Sequence, residues 1–182
     1  TRACRPCKNS SNVLTLYYAM TIEHVHSRDR MQRVEALARE IWQEHYTPII
    51  GRAQVAYMLE TFQSTAAMMR QLEEGFRYYL MVHEGEEIGY MAVQPREGLL
   101  FVSKFYLKAS HRGRGYGRAA LAFMTTLAAE NSLQKIALTV NRNNTLALKA
   151  YEKLGFVNVG PVVQEIGNGF VMDDYRMERC LP

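Results

Sequence analysis

Cysteine is scarce: the 182-residue chain has three, at Cys4, Cys7 and Cys180. So few, placed so close to the ends, exclude a disulfide framework, and the expectation is a reducing, cytoplasmic setting. Cys4-x-x-Cys7 is half of a zinc or redox pattern. No second Cys/His pair stands at zinc-ribbon spacing and no strand precedes it, so no metal is expected. No apolar run approaches the ~18 residues of a membrane span, which leaves out a membrane partner. Neither sign of charge dominates: 22 Lys and Arg against 18 Asp and Glu give a net +4. That excess admits an anionic ligand without demanding nucleic acid. The basic residues Arg112, Arg114 and Arg118 gather at one turn, with Arg142 further on, rather than along a face. No RNA-binding motif appears, so no nucleic-acid partner is expected. Repeats, low-complexity tracts and interdomain linkers are also missing.

What is present is ordinary for a soluble globular protein, with 48% hydrophobic and 22% charged residues. The length suits one domain with a sizeable core. Residues 1–19 differ in character and read as a mobile N-terminal extension ahead of a natural start at Met20, leaving 20–182 as a single domain. Thr21–His26 reads as a strand. Val34, Leu37, Ala38, Ile41 and Trp42 then form one helical stripe. Asp29 with Gln32 resembles a capping box, and Ser27 is an alternative cap. The helix should end near His45, because Pro48 disfavours helical geometry at Thr47. Helices follow over Arg52–Phe62 and Thr65–Glu74, the second capped by Ser64 and stopped by Gly75. Their methionines, like Trp42, read as core. Strands at Phe76–His83, Ile88–Gln94 and Leu99–Leu107 form a meander. A helix over Arg118–Asn131, a strand over Lys135–Val140, a short helix over 145–154 and a final hairpin, Phe156–Glu165 with Phe170–Glu178, complete an α/β layer fold.

The chain is organised around Arg112-Gly113-Arg114-Gly115-Tyr116-Gly117, which joins the end of a strand to the start of a helix. A helix N-terminus offers unpaired N–H groups and the positive end of its dipole. Glycines let the backbone approach a ligand, and two arginines add charge. Together they suit a pyrophosphate. The glycine spacing is not that of a dinucleotide-binding turn, and no Gly-Lys-Ser/Thr closes a P-loop.

The loop matches R-x-x-G-x-G, and from Asn144 to Phe156 the chain matches N-x-x-A-x-x-x-Y-x-K-x-G-F. In this order and separation the two motifs resemble the GNAT (N-acetyltransferase) superfamily, across about residues 21–179. The layout is similar to bacterial polyamine and other small-molecule N-acetyltransferases. The resemblance implies a GNAT fold, with a mixed, mostly antiparallel sheet splayed beside the central strand and flanked by helices. It implies acetyl-CoA as cosubstrate and a small-molecule primary amine as acceptor, and it admits a homodimer. Backbone groups of Phe105, Tyr106 and Leu107 would hold the pantetheine. The N–H groups of Gly113, Arg114, Gly115, Tyr116, Gly117 and Arg118, with the Arg112 and Arg114 side chains, would hold the pyrophosphate. Asn144 would contact the cofactor, besides reading as a helix cap. Tyr151 would serve as catalytic acid to the leaving thiolate, although its spacing from Ala147 and Leu154 also fits a packed helix face.

One departure stands out. Many relatives carry Glu on the central strand near Ser103; this strand has no carboxylate. Glu44, His45, Tyr46, Asp173 and Asp174 are the groups that could take the amine's proton, and Glu44, Tyr46, Tyr57 and Glu60 give the acceptor region polarity suited to a cation. A non-catalytic acyl-CoA sensor and a protein or peptide N-acetyltransferase are the alternative readings.

Overall fold

The structure, a computed structural model, describes residues 20–181. The expectations for residues 1–19, and for Cys4 and Cys7, lie outside that range. Seven strands form one sheet: β1 Met20–Val25, β2 Arg77–His83, β3 Glu86–Arg96, β4 Leu99–Leu107, β5 Lys135–Asn141, β6 Val157–Gly167 and β7 Phe170–Cys180. Their order across the sheet is β1-β2-β3-β4-β5-β7-β6. Every neighbouring pair is antiparallel except β4 with β5. The helices are α1 Arg28–His45, α2 Thr47–Ile50, α3 Arg52–Gln63, α4 Thr65–Glu73, α5 Tyr116–Glu130 and α6 Thr145–Lys153. This is the mixed, splayed α/β layer expected from the sequence.

Two cores sandwich the sheet. On one face Val34, Leu37, Ala38, Ile41 and Trp42 of α1 pack with Met58, Met68, Tyr78 and Tyr90. On the other, Ala120, Leu121, Met124 and Ala128 of α5 pack on Leu100, Val102, Ile136 and Leu138. Trp42 is 3% exposed, as its place in the helical stripe predicts. Among the α1 capping candidates, the Ser27 hydroxyl accepts from the Arg30 N–H. Ser64 accepts from Ala67, and Gly75 follows α4 with φ 90°.

The chain after His45 differs from expectation. Pro48 does end α1's register, but Thr47–Ile50 forms a further helical turn, with proline at its first positions, where its missing N–H has no helical acceptor to lose. The helix expected from Arg118 begins two residues earlier, at Tyr116. No helix among the described residues is long and apolar enough to cross a membrane.

The sheet opens at its middle. β4 and β5 pair only from Leu99 opposite Lys135 to Val102 opposite Leu138. There Ser103 forms a β-bulge: Val93 faces Val102 and Ala92 faces Lys104, so Ser103 has no partner on β3. Beyond it β4 stays with β3, while β5 runs on beside β7 to Asn141. A cleft therefore parts Ser103–Leu107 from Thr139–Asn141.

Candidate active site

The cleft measures about 390 Å³ and its walls come from both sides of the splay: Val102 to Leu107 without Lys104, Leu138 to Val140, and α6 through Ala147 and Tyr151. Arg112, Gly113 and Gly117 also line it, with His45, Tyr46 and Asn144. Of the twelve residues that the resemblance assigns to the cofactor and to catalysis, eight thus reach one cavity.

At the loop, Gly115 has φ 92° and caps α5 from the left-handed region, and Gly113 has φ 74°. The Arg118 and Ala119 N–H groups donate to the Gly115 carbonyl. The N–H groups of residues 113–117 have no backbone acceptor outside the helix. Unbonded N–H groups at a helix start have the chemistry that suits an anion. A Cβ placed on Gly113 or Gly117 meets no protein atom within 4 Å. The protein itself therefore leaves that space open.

Arg112 does structural work as well. Its Nε donates to the Leu107 carbonyl at 3.0 Å, and Nη1 lies 3.1 Å from His45 Nδ1. A guanidinium cannot accept, so His45 Nδ1 must be the acceptor and the imidazole neutral. Burial, then the Arg112 charge, hold the His45 pKa below the usual range, which agrees. Arg114 and Arg118 are exposed, and neither forms an ion pair among the described residues. The Tyr116 ring is 3% exposed and packs against His83, centroid to centroid 5.1 Å, so only its backbone belongs to the loop.

Along β4 the peptide groups alternate. Lys108 N–H donates to the Ile88 carbonyl. By antiparallel alternation Tyr106 pairs its backbone with Tyr90, and the peptide groups of Phe105 and Leu107 turn into the cleft. The Tyr106 side chain instead joins an aromatic cluster with Trp42, Tyr46 and Tyr90 on the α1 face.

Asn144, 3% exposed, caps α6 by accepting from the Ala147 N–H at 3.2 Å, while its Nδ2 lies 3.5 Å from the Tyr46 hydroxyl. It ties α6 to the end of α1 across the mouth of the cleft. Tyr151 packs edge-on against Phe156 and lines the cleft. Among the described residues its hydroxyl makes no hydrogen bond. Burial, and secondarily Tyr46, push its pKa well above the ordinary phenol value, so it is protonated at neutral pH. The Tyr46 phenol is likewise raised, to about 12, by burial.

A second, narrower chamber of about 60 Å³ lies on the α1 face of the splay. It shares Tyr46, Ser103, Tyr106, Thr139 and Val140 with the cleft. Asp174 lines it, 5% exposed; burial first, with Asp173 adding to it, raises its pKa to about 6 against the opposing Thr139 hydrogen bond. Asp173 is instead paired with Arg142 at 2.6 Å. Glu44 is exposed, and so is Glu60, 79% at its side chain; neither lines the chamber. Tyr57 spends its hydroxyl on the Ile166 carbonyl. Lys104, on the bulged strand, went unremarked in the sequence. It is 5% exposed, bonded to Gln71 at 2.7 Å, and burial lowers its pKa to about 7. A lone lysine inside the apolar run Phe101–Leu107 was the available signal.

A helix start with unbonded N–H groups, a cleft running through a parted parallel pair and, among the described residues, a phenol without a hydrogen bond on its wall make a site that suits an elongated, phosphate-bearing ligand. Comparison with known proteins makes this particular: the family model "Acetyltransferase (GNAT) family" matches residues 34–156, and the chain belongs to that family. Acetyl-CoA is the acyl donor of these enzymes. The chain is 34% identical over 65 residues to the uncharacterized N-acetyltransferase YycN of Bacillus subtilis (strain 168). That alignment takes in 36% of this chain and 42% of the relative, so it spans under half of the relative's length. Among solved structures, the PaiA N-acetyltransferase of Thermoplasma acidophilum, in complex with coenzyme A, superposes with a TM-score of 0.72 at 17% identity. That match covers 89% of this chain and 99% of the other. The spermidine/spermine N-acetyltransferase SpeG of Vibrio cholerae gives 0.63 at 17% identity, covering 91% and 94%. At such identities these likenesses carry the fold.

Proposed function

We propose that the protein transfers an acetyl group from acetyl-CoA to a primary amine of a small molecule by direct attack on the thioester. The observation that carries this reading is the meeting of two cavities at the splay, with the free Tyr151 hydroxyl in the larger one. The pyrophosphate would lie against the N–H groups of 113–117, and the pantetheine arm would bond the peptide groups of Phe105 and Leu107. The thioester would then end beside Tyr151, with the amine arriving from the α1 side.

The chemistry follows from these positions. The neutral amine nitrogen attacks the carbonyl carbon, and the C–S bond breaks as the C–N bond forms. The departing sulfur takes the Tyr151 proton, and the phenolate recovers one from the nitrogen, which has become an amide. The raised phenol pKa keeps Tyr151 protonated at rest and makes its phenolate, once formed, a strong acceptor for the nitrogen's proton. Tight closure of the cleft around the carrier would keep water from the thioester.

Release of free thiol from acetyl-CoA, measured against a panel of polyamines, amino acids and aminoglycosides, tests the proposal. Amine-dependent thiol release is expected. Tight coenzyme A binding with no turnover on any amine would replace it with the sensor reading.

A further inference from the structure

Resting on the acetyltransferase reading, we propose that Asp174 is the counter-ion and proton acceptor for the incoming amine. The acceptor head-group it selects is an alkylammonium. The central strand has no carboxylate at the splay, and β7 supplies one from the other side. Asp174 stands opposite Asn141, at the end of β5 where the sheet has parted, and lines the chamber with Thr139. Among the described residues no ion pair engages Asp174, whereas its neighbour Asp173 is held by Arg142. Asp174 is the one charged side chain among the residues lining the chamber. A buried carboxylate without a cation is costly, and a positive ligand is the natural complement.

The rest of the chamber fits the same guest. Trp42 and Tyr46 stack with ring centroids 4.5 Å apart, and Tyr106 meets Trp42 edge-on at 5.4 Å. Aromatic faces favour a cation close by. Besides Asp174 the lining is largely apolar, with Trp42, Ile50, Met58, Val140 and Met172, which suits the alkyl stem behind an ammonium. The five residues shared with the larger cleft place the guest's nitrogen next to the thioester's end.

The proton count closes. The ammonium gives one proton to the Asp174 carboxylate, which later releases it to solvent. The freed amine attacks, and its second proton reaches the sulfur through Tyr151. The titratable groups facing Asp174 are Tyr46 from α1, Tyr106 from β4 and Asp173 on its own strand. Both phenols are raised by burial, so neither ionises in the working range. A carboxylate raised to about 6 is a better proton acceptor than an ordinary aspartate and still ionised at pH 7.

The test uses the full chain saturated with coenzyme A, titrated with n-butylammonium chloride and with 1-butanol, for the wild type and for Asp174→Asn. The wild type should bind the ammonium at least tenfold more tightly than the alcohol, and Asp174→Asn should erase that preference while binding coenzyme A unchanged. Equal affinity for cation and alcohol in the wild type overturns the proposal, whether or not the thioester is consumed. Failure to bind coenzyme A would strike the acetyltransferase reading instead.

With turnover, kcat/KM should rise to about pH 7 and level off. In Asp174→Asn it should fall about 10²–10³-fold and climb with the neutral fraction of the amine through pH 9. An unchanged profile overturns the proton-acceptor role. If Asp174→Asn melts well below the wild type, Thr139→Val serves in its place. Loss of that hydroxyl should move the acidic limb upward, and an unmoved limb counts against Asp174.

Discussion

Gly117→Ala separates what the fold needs from what the ligand needs. Gly117 is the second residue of α5, outside the left-handed region, and an added Cβ meets no protein atom within 4 Å. Alanine in a helix is favoured over glycine by about 0.5–1 kcal/mol, less so in the first turn. For a chain of this length each kcal/mol moves Tm by roughly 2–4 °C, so the variant should melt at or slightly above the wild type. The methyl group points into the space where a phosphate would approach. Losing one charge-assisted N–H bond there costs about 1.5–3 kcal/mol, or a ~10- to 150-fold rise in the coenzyme A Kd. Calorimetric titration beside a thermal melt reads both quantities. Gly115→Ala is the control: at φ 92° it forces alanine into a left-handed conformation, which costs roughly 1–2 kcal/mol and should lower Tm as well. A Gly117→Ala protein that binds coenzyme A within twofold of the wild type would refute the placement of the pyrophosphate at this helix start.

Other outcomes follow from the same geometry. Tyr151→Phe removes a hydroxyl with no partner among the described residues, so Tm and coenzyme A affinity should hold while kcat falls by about 10²-fold, read as thiol release; an unchanged kcat would leave Tyr151 as packing. Arg112→Met gives up the bonds to Leu107 and His45 and should cost about 1–3 kcal/mol of stability in denaturant titrations. Lys104→Met should stabilise the fold most at and below neutral pH. The native lysine's pKa is lowered from 10.5 to about 7. The unfolded chain therefore binds more protons between those values, and wild-type stability rises with pH across that window. The gap corresponds to roughly 5 kcal/mol at most. Melts of the methionine variant should show that rise flattened, and a rise of wild-type steepness would contradict it.

The parts of the site that sequence made legible are those where the backbone leaves little choice. Asn144 must cap a helix and could be placed from local pattern, whereas α5 starts at Tyr116, directly after Gly115 and two residues before the expected Arg118. Ser64 before α4 and Trp42 on its stripe follow the same logic. What stayed illegible depends on pairing between distant segments. Asp173 and Asp174 are adjacent in sequence, and only the register of β7 on β5 decides which one is paired with Arg142 and which is buried. The α2 turn was hidden because Pro48 both ends one helix and is tolerated at the start of the next. The side of the sheet that Lys104 takes depends on an extra residue in β4, which alternation alone does not reveal.

That extra residue, Ser103, ties the fold to the site. Leu100 and Val102 face the α5 core, and unbroken alternation would send Lys104 and Tyr106 there too. The bulge reverses the parity. Phe105 and Leu107 take the α5 side, while Tyr106 joins Trp42 and Tyr46, and Lys104 reaches Gln71 of α4. The reversal falls where β4 parts from β5, at Val102 opposite Leu138. One insertion thus turns the Phe105 and Leu107 side chains to the α5 face and delivers the aromatic wall of the smaller chamber. It also strands a lysine in the interior. The buried charge is then a cost of the same backbone step that opens the sheet, so Lys104→Met should leave the cleft intact while it stabilises the fold.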